Sequence, residues 1–102
     1  MSNITLPNGY RMVTTFFEDF NIAEEFGIEG VRETFNNAFS SWKYNHIYLT
    51  ELAIVMSNNS IARYDTNREM SMLYAECYHK VDDYCMNNLK GSSLEFYLKT
   101  TD

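Results

Sequence analysis

The longest stretch of helical periodicity in the chain runs from Thr66 to Lys90. Its apolar residues recur at steps of three and four, which places a wide apolar stripe on one face of an α-helix. The stripe consists of Met70, Leu73, Tyr74, Cys77, Tyr78, Val81, Tyr84, Cys85, Met86 and Leu89. Thr66 and Glu69 have the spacing of a capping box, and Gly91 follows where a left-handed residue commonly ends a helix. We therefore predict a long helix over 66–90.

The segment 14–27 has the same periodicity over a shorter length. Its apolar face is formed by Phe16 or Phe17, Phe20, Ala23 and Phe26. Gly27 is the expected end of this helix, because glycine commonly stands just past a helix terminus. Candidate caps at Thr15 and Asn21 leave two structures open, since the segment is either one helix or a turn followed by a helix that restarts at Asn21.

Two further helices are predicted, over 28–45 and 46–64. The second helix has an apolar side formed by Val31, Phe35, Ala38, Phe39 and Trp42. In the third, the run Leu52–Met56 is apolar on every side, which is typical of a buried helix. A buried strand is the alternative for so short an apolar run, but helical periodicity continues through both flanks.

The two ends of the chain complete the predicted architecture. Residues 1–13 are expected to form an irregular arm with a turn at Pro7-Asn8-Gly9, and a short fifth helix is expected over 93–99. Short connections between amphipathic helices predict an all-α fold in a single domain, 1–102. We expect a compact four- to five-helix bundle or an orthogonal helical array, which loop lengths alone do not distinguish.

Composition and charge narrow the classes of partner. The chain has 102 residues, of which 45% are apolar and 16% aromatic, and its formal net charge is −6. A chain this short buries only about two-thirds of its unfolded surface, so large aromatic side chains fill its core effectively. Nucleic-acid-binding domains carry a basic patch, and anionic membranes attract basic segments. Because this chain has neither feature, we expect no direct nucleic-acid binding and no membrane partner.

The two cysteines, Cys77 and Cys85, lie eight residues apart on the long predicted helix. At the helical rise they are roughly 12 Å apart, whereas a disulfide joins Cα atoms within about 7 Å. Two reduced thiols are consistent with a cytosolic protein. Residues 1–13 lack the pattern of a signal peptide, and no apolar stretch approaches membrane-spanning length. We therefore predict a cytoplasmic protein.

Glu76 and His79 have the Glu-x-x-His spacing that recurs on two helices of carboxylate-bridged di-iron bundles. Here the motif occurs once, and Asp83 lies four residues after His79, so a pair on the helix surface is the simpler interpretation. Cys77 is two residues from His79 and would point away from it on a helix. We therefore predict no catalytic residue, no metal, no cofactor and no enzymatic activity.

Acidic residues crowd the first predicted helix and the start of the second, and two more lie on the long helix. The set consists of Glu18, Asp19, Glu24, Glu25, Glu29, Asp82 and Asp83. We predict that it forms an acidic interaction face. A merely solvated surface is the alternative interpretation, because acids are also favoured near helix N-termini by the macrodipole.

The chain contains eight tyrosines, more than the centre of so small a fold can accommodate. Tyrosine is enriched in protein–protein contacts because its ring is apolar while its hydroxyl tolerates water. The candidate aromatic interaction residues are Tyr44, Tyr48, Tyr64 and Tyr97. Alternatively, the tyrosine rings surround the core with their hydroxyls directed outward.

Short groups of residues spread along the chain match a pattern found in a group of other proteins. The matching residues are Thr14-Thr15-Phe16, Asp19-Phe20, Ile22-Ala23, Phe26-Gly27, Val31, Thr34-Phe35, Ala38-Phe39, Trp42, Tyr48-Leu49-Thr50-Glu51-Leu52 and Leu89-Lys90-Gly91 to Asp102. With these residues the chain resembles a group of small uncharacterised helical proteins from phages and integrative elements of Gram-positive gut bacteria. The resemblance implies a prokaryotic cytosol and a mobile-element origin, and it brings no catalytic residue.

Three functional hypotheses are compatible with these observations. The first is a non-enzymatic helical module that binds another protein or a second copy of itself. The second is an acidic inhibitor or nucleic-acid mimic that acts on a host nucleic-acid-binding or defence protein, which requires the acidic residues to form one continuous surface. The third is a metal- or thiol-dependent enzyme built on Glu76, His79, Asp83 and a cysteine, and the incomplete ligand set makes it the weakest.

Overall fold

The computed structural model describes residues 3–5, 11–13 and 15–101, with side chains from 16 to 101. In chain order the elements are β1 (Asn3–Thr5), β2 (Arg11–Val13), α1 (Thr15–Ala23), a 3-10 turn (Glu24–Phe26), α2 (Gly27–Trp42), α3 (His46–Arg63), α4 (Arg68–Asn88) and α5 (Ser92–Thr101). This order of packed helices confirms the predicted all-α fold, a small helical bundle.

The segment expected to be an irregular arm contains β1 and β2. They pair antiparallel, with Asn3 opposite Val13 and Thr5 opposite Arg11. β-branched residues favour extended backbone, which is consistent with strands at these positions. The predicted turn at Pro7-Asn8-Gly9 lies outside the described residues.

Helices α3 and α4 form a hairpin at the centre of the bundle, and asparagine side chains cap both of them. Asn45 Oδ1 accepts hydrogen bonds from the backbone N–H groups of Ile47 at 3.0 Å and Tyr48 at 3.3 Å. Asn67 Oδ1 accepts from the N–H of Met70 at 3.1 Å. The cap predicted at Thr66 is therefore wrong by one residue, since Asn67 precedes the first helical residue and its side chain makes the capping hydrogen bond.

The two helices approach closely near their connection because serines face each other there. The Ser60 hydroxyl donates to the carbonyl oxygen of Ser71 at 2.8 Å, and the Ser71 hydroxyl donates to that of Ser60 at 2.7 Å. These reciprocal bonds give both serine hydroxyls a partner at a largely buried contact between the two helices.

The core lies mainly between α3 and α4, with α1, α2 and α5 packed around them. The run Leu52–Met56 is buried apart from the partly exposed Ile54, as its all-round apolar pattern predicts. Full burial of one such side chain contributes about 1.5–3 kcal/mol. Most of the predicted stripe on α4 is also buried, but Met86 is 49% exposed, so its place in that stripe is wrong.

The first predicted helix is interrupted before its expected end. Helix α1 continues through Asn21, so no helix restarts there, and the 3-10 turn at Glu24–Phe26 separates it from α2. Gly27 has a φ of +77°, a left-handed conformation that glycine adopts without a Cβ penalty. Side chains from 16 to 101 are described, so the predicted cap at Thr15 lies outside them.

Helix α1 docks onto α3 through a buried carboxylate. The backbone N–H of Phe16, in the first turn of α1, donates to Glu51 Oε2 at 3.4 Å. A carboxylate at this place complements the positive end of the helix dipole. Phe16 and Phe20 then continue the contact into the core, where both are buried.

Candidate interaction site

The outer sides of α1 and α2 enclose a groove of about 510 Å³ next to the 3-10 turn. We call it the corner groove, and it is lined by Asp19, Ile22, Ala23, Phe26, Glu29, Gly30, Glu33 and Thr34. Its α1 residues follow from helical geometry. Phe16, Phe20 and Ala23 turn one face of α1 into the core, which leaves Asp19 and Ile22 on the solvent side.

Gly30 allows α1 and α2 to meet closely at the floor of the corner groove. A Cβ atom at this position would lie 2.5 Å from the carbonyl oxygen of Ala23 and 2.7 Å from the Cβ of Phe26. Backbone and Cβ atoms cannot move aside as a flexible side-chain end would, so only glycine fits without a shift of the 3-10 turn. Gly30 therefore permits the close approach of α2 to the end of α1.

Two large apolar side chains of the corner groove face solvent. Phe26 is 74% exposed and Ile22 is 58% exposed. The sequence places Phe26 on the apolar face of the first predicted helix, and this prediction is wrong. The 3-10 turn winds more tightly than an α-helix and ends in the left-handed Gly27, so the direction of the Phe26 side chain changes.

The charged side chains that line the corner groove are all acidic. Asp19, Glu29 and Glu33 are exposed, and no lysine or arginine lines the groove among the described residues. Glu29 has a cation nearby, since its Oε2 lies 3.8 Å from Arg32 Nε, but both groups are well exposed and the pair is weak. The arrangement favours a cationic group that approaches over an apolar surface.

Glu24 belongs to a different arrangement, a charged network that holds the 3-10 turn on the α3–α4 hairpin. Arg63 contacts both carboxylate oxygens, from Nε to Oε1 at 3.0 Å and from Nη2 to Oε2 at 2.6 Å. The Tyr74 hydroxyl donates to the same carboxylate at 2.7 Å, and the Arg63 guanidinium lies 5.2 Å from the Tyr74 ring centroid. Burial and the Glu24 hydrogen bond raise the pKa of Tyr74 above its ordinary value.

The seven acids predicted to form one face are divided among several environments. Glu18, Asp19, Glu25 and Glu29 are exposed on the α1–α2 side, and Asp83 is exposed on α4. Glu24 is held by Arg63 and Tyr74. Asp82 is partly buried and accepts a hydrogen bond from the Tyr97 hydroxyl at 2.6 Å. Two of the seven carboxylates are therefore already used within the fold.

The four candidate interaction tyrosines also differ. Tyr44 is 87% exposed, and Tyr64 is exposed with the Arg68 guanidinium 3.8 Å from its ring centroid. Tyr48 is partly buried between the rings of Phe16 and Trp42. Tyr97 is buried, with 1% exposed, so its assignment as an interaction residue is wrong. Its burial is possible because Asp82 on α4 satisfies the hydroxyl.

Glu76, His79 and Asp83 line a second groove, of about 700 Å³, between α2 and α4. We call it the α2–α4 groove, and it is lined by Ile28, Arg32, Glu69, Met72, Leu73, Ala75, Glu76, His79, Lys80 and Asp83. Glu76 faces Arg32 Nη1 at 3.4 Å and Lys80 Nζ at 3.9 Å. Within residues 16–101, no group of three or more His, Cys, Asp or Glu side chains is arranged to hold a metal ion.

The cysteines on α4 are buried, free thiols. Burial raises the pKa of Cys77 to about 11, assisted by the charge of Glu76, and raises the pKa of Cys85 to about 12, assisted by Asp82. A nucleophilic cysteine requires the opposite shift and access to solvent. This geometry gives no support to a thiol-dependent reaction.

Comparison with known proteins identified no relative of this chain. The chain matches no family model, no curated protein and no solved structure. The resemblance to phage and mobile-element proteins therefore remains a prediction from sequence. Among the helices that the structure describes, none is long and apolar enough to cross a membrane.

Sequence reasoning missed Phe26, Ile22 and Glu33 as members of the candidate site. The signal for Ile22 was present, since it lies off the predicted apolar face of the first helix. Glu33 lies four residues after Glu29, which places both on one side of α2. Phe26 gave no such signal, because its exposure depends on a change of helix type that helical periodicity does not encode.

Proposed function

We propose that this chain is a non-enzymatic protein-interaction module whose corner groove binds a basic segment of another protein. The observation that carries the proposal is the exposure of Phe26 and Ile22 within a groove whose charged residues are all acidic. Large exposed apolar side chains with a polar rim are typical of protein-binding surfaces. The opposite charge on the partner increases the rate of association and excludes acidic competitors.

The size of the groove indicates the kind of contact. A cavity of about 510 Å³ beside Phe26 accommodates a few apolar side chains. Asp19, Glu29 and Glu33 line the same groove. The segment that fits therefore has an apolar anchor residue flanked by lysine or arginine, in a partner of the same compartment, which we take to be the cytoplasm.

An acidic inhibitor or nucleic-acid mimic remains the alternative function. It requires the acids of α1, α2 and α4 to act as one surface. Glu24 and Asp82 are committed to Arg63 and to Tyr97, and Asp83 lines the α2–α4 groove instead. An apolar anchor site such as Phe26 also has no counterpart in a phosphate backbone, so the structure favours the interaction module.

The proposal is tested by nuclear magnetic resonance titration of the full chain with a lysine-rich peptide that carries one central leucine pair. We expect backbone amide shifts concentrated in residues 19–34. The same peptide with glutamate in place of lysine should produce no comparable shifts. Equal binding of both peptides, or shifts distributed away from these residues, contradicts the proposal.

Two pairs of matched variants locate the binding. Phe26→Ser should weaken binding of the lysine-rich peptide by about tenfold or more, as expected for a central anchor, whereas Ile61→Ser should not. Ile61 is a suitable control because it is 72% exposed and lies on α3. The triple change Asp19→Asn, Glu29→Gln and Glu33→Gln should weaken binding more than Glu18→Gln, Glu25→Gln and Glu95→Gln, which alters net charge equally. Equal effects within either pair would refute the assignment of the site.

A further inference from the structure

The α2–α4 groove lies on a different side of α2 from the corner groove, and both acidic and basic side chains line it. Ile28, Met72, Leu73 and Ala75 provide its apolar surface, and Met72 is 65% exposed. Methionine adapts its shape to apolar ligands, which makes it common at helix-binding surfaces. The groove extends along α4 from Glu69 to Asp83, a distance of about 21 Å at the rise of an α-helix.

Three acids along this groove are spaced by seven residues, at Glu69, Glu76 and Asp83. Seven residues fall about 20° short of two full helical turns, so the three side chains remain on one side of α4. Heptad spacing of charges beside an apolar seam is the pattern by which one helix selects another in a coiled coil.

The three positions are not equivalent. Glu76 lies beside the cations Arg32 and Lys80, at 3.4 and 3.9 Å, and Arg32 also lies 3.8 Å from Glu29, so the charges around Glu76 largely cancel. Within residues 16–101, Glu69 and Asp83 form no ion pair. The groove therefore presents unpaired negative charge at both ends and largely compensated charge at its middle.

We infer that the α2–α4 groove binds an amphipathic helix of another protein with a defined order of charges. That helix has an apolar stripe, a lysine or arginine at positions i and i+14, and an uncharged residue at i+7. The basic residues face Glu69 and Asp83, and the uncharged residue faces the ion-paired Glu76. Because the order is the same from either end, the helix binds in either direction.

Charge excludes a second copy of α4 from this role. In an antiparallel pair of α4 helices, Glu69 of one copy would lie opposite Asp83 of the other at both ends of the contact. Like charges at such positions oppose association. A foreign helix with the complementary order has no such conflict.

The test uses two 18-residue peptides, each cross-linked to hold a helix and each carrying the same leucine stripe. One has lysine, glutamine and lysine at positions spaced by seven, and the other has glutamate, glutamine and glutamate. Calorimetric titration of the full chain should show the first peptide binding about tenfold or more tightly than the second. Equal affinity of the two peptides overturns the inference.

Variants separate this site from the corner groove. Met72→Ser, and the double change Glu69→Gln and Asp83→Asn, should each weaken binding of the first peptide about tenfold. Leu98→Ser and the double change Glu18→Gln and Glu95→Gln, which alters net charge equally, should leave it unchanged. Phe26→Ser should also leave it unchanged, so failure here is distinct from failure of the proposed function. A dimer in the absence of peptide that Met72→Ser dissociates would assign the groove to a second copy and overturn the inference.

Discussion

The α3–α4 hairpin and the α1–α2 corner contribute to the same core but are held in place differently. The hairpin buries apolar residues along most of its length, including Leu49, Leu52, Val81 and Cys85. The 3-10 turn of the corner buries no residue, and it is attached to the hairpin by Glu24 through Arg63 and Tyr74. Hydrophobic contacts are non-directional and tolerate small shifts, whereas charged hydrogen bonds require defined positions.

This difference has a functional meaning for the proposed sites. Both grooves border α2, which has only Val31 and Phe35 fully buried. Elements with few buried contacts open more easily than the centre of a core. The hairpin therefore provides a stable base, and the corner provides side chains that remain available to a partner. Three changes in stability test this division.

The largest effect is expected when the network at the 3-10 turn is broken. Arg63→Met leaves the Glu24 carboxylate without its cation, and we expect the free energy of unfolding to fall by about 2–3 kcal/mol. This value lies below that of a fully buried pair because the two side chains are 21% and 22% exposed. Urea denaturation measures the loss, and hydrogen exchange should accelerate more in α1 and the 3-10 turn than in α3 and α4.

Arg68→Met is the matched control for this prediction. Arg68 is exposed and donates to the carbonyl oxygen of Tyr64 at 2.8 Å, so its loss should cost less than about 1 kcal/mol. If both changes have the same cost, or if hydrogen exchange accelerates evenly over the chain, the network does not hold the corner.

The close approach at Gly30 gives the second prediction. Packing and helix propensity should here change the stability of the fold in opposite directions. Propensity alone would make Gly30→Ala stabilising by about 1 kcal/mol. The contact of the new methyl group with the Ala23 carbonyl oxygen should instead destabilise the fold by about 1–2 kcal/mol. Thermal denaturation should show a lower melting temperature, whereas Asn36→Ala, at an exposed site of α2, should not lower it. A Gly30→Ala variant with a raised melting temperature would show that the 3-10 turn shifts at little cost in free energy.

The smallest effect per residue concerns the thiols inside the hairpin and appears as a pH dependence. The pKa values of Cys77 and Cys85, about 11 and 12, are raised by burial from the ordinary value near 9. The folded chain therefore binds more protons than the unfolded chain above pH 9, so stability is complete below that value and falls as pH rises toward 11–12. The loss should reach roughly 1 kcal/mol per thiol by pH 10.

Unfolding in urea at pH 7, 9 and 10 measures this decline. The double variant Cys77→Ala and Cys85→Ala has lower stability throughout because of the lost volume, but its decline between pH 7 and 10 should be shallower. Tyr74 and Tyr97, whose pKa values are raised by burial, continue to lower stability above pH 10 in both proteins. An equal decline below pH 10 would show that the thiols do not contribute.

The spacing of apolar residues was sufficient to predict the helices. It failed for residues whose environment is formed by a side chain of another helix. The stripe on α4 and the buried run Leu52–Met56 follow from spacing, because a helix places residues three and four apart on one face. Tyr97 is expected at an interaction surface because tyrosine is enriched in protein–protein contacts. In the fold it is buried, because the side chain of Asp82, fifteen residues away, accepts a hydrogen bond from its hydroxyl.

The sequence by itself determined the all-α fold, the approximate extent of each helix and the net negative charge of the chain, since these depend on composition and on spacing within one helix. Only the tertiary structure decided which acids remain free and which apolar residues stay exposed. The contacts of Glu24 with Arg63 and Tyr74 join residues 39 and 50 positions apart, and the exposure of Phe26 follows from how the 3-10 turn meets α2. Such contacts form only when separate helices pack, so no local pattern in the chain specifies them.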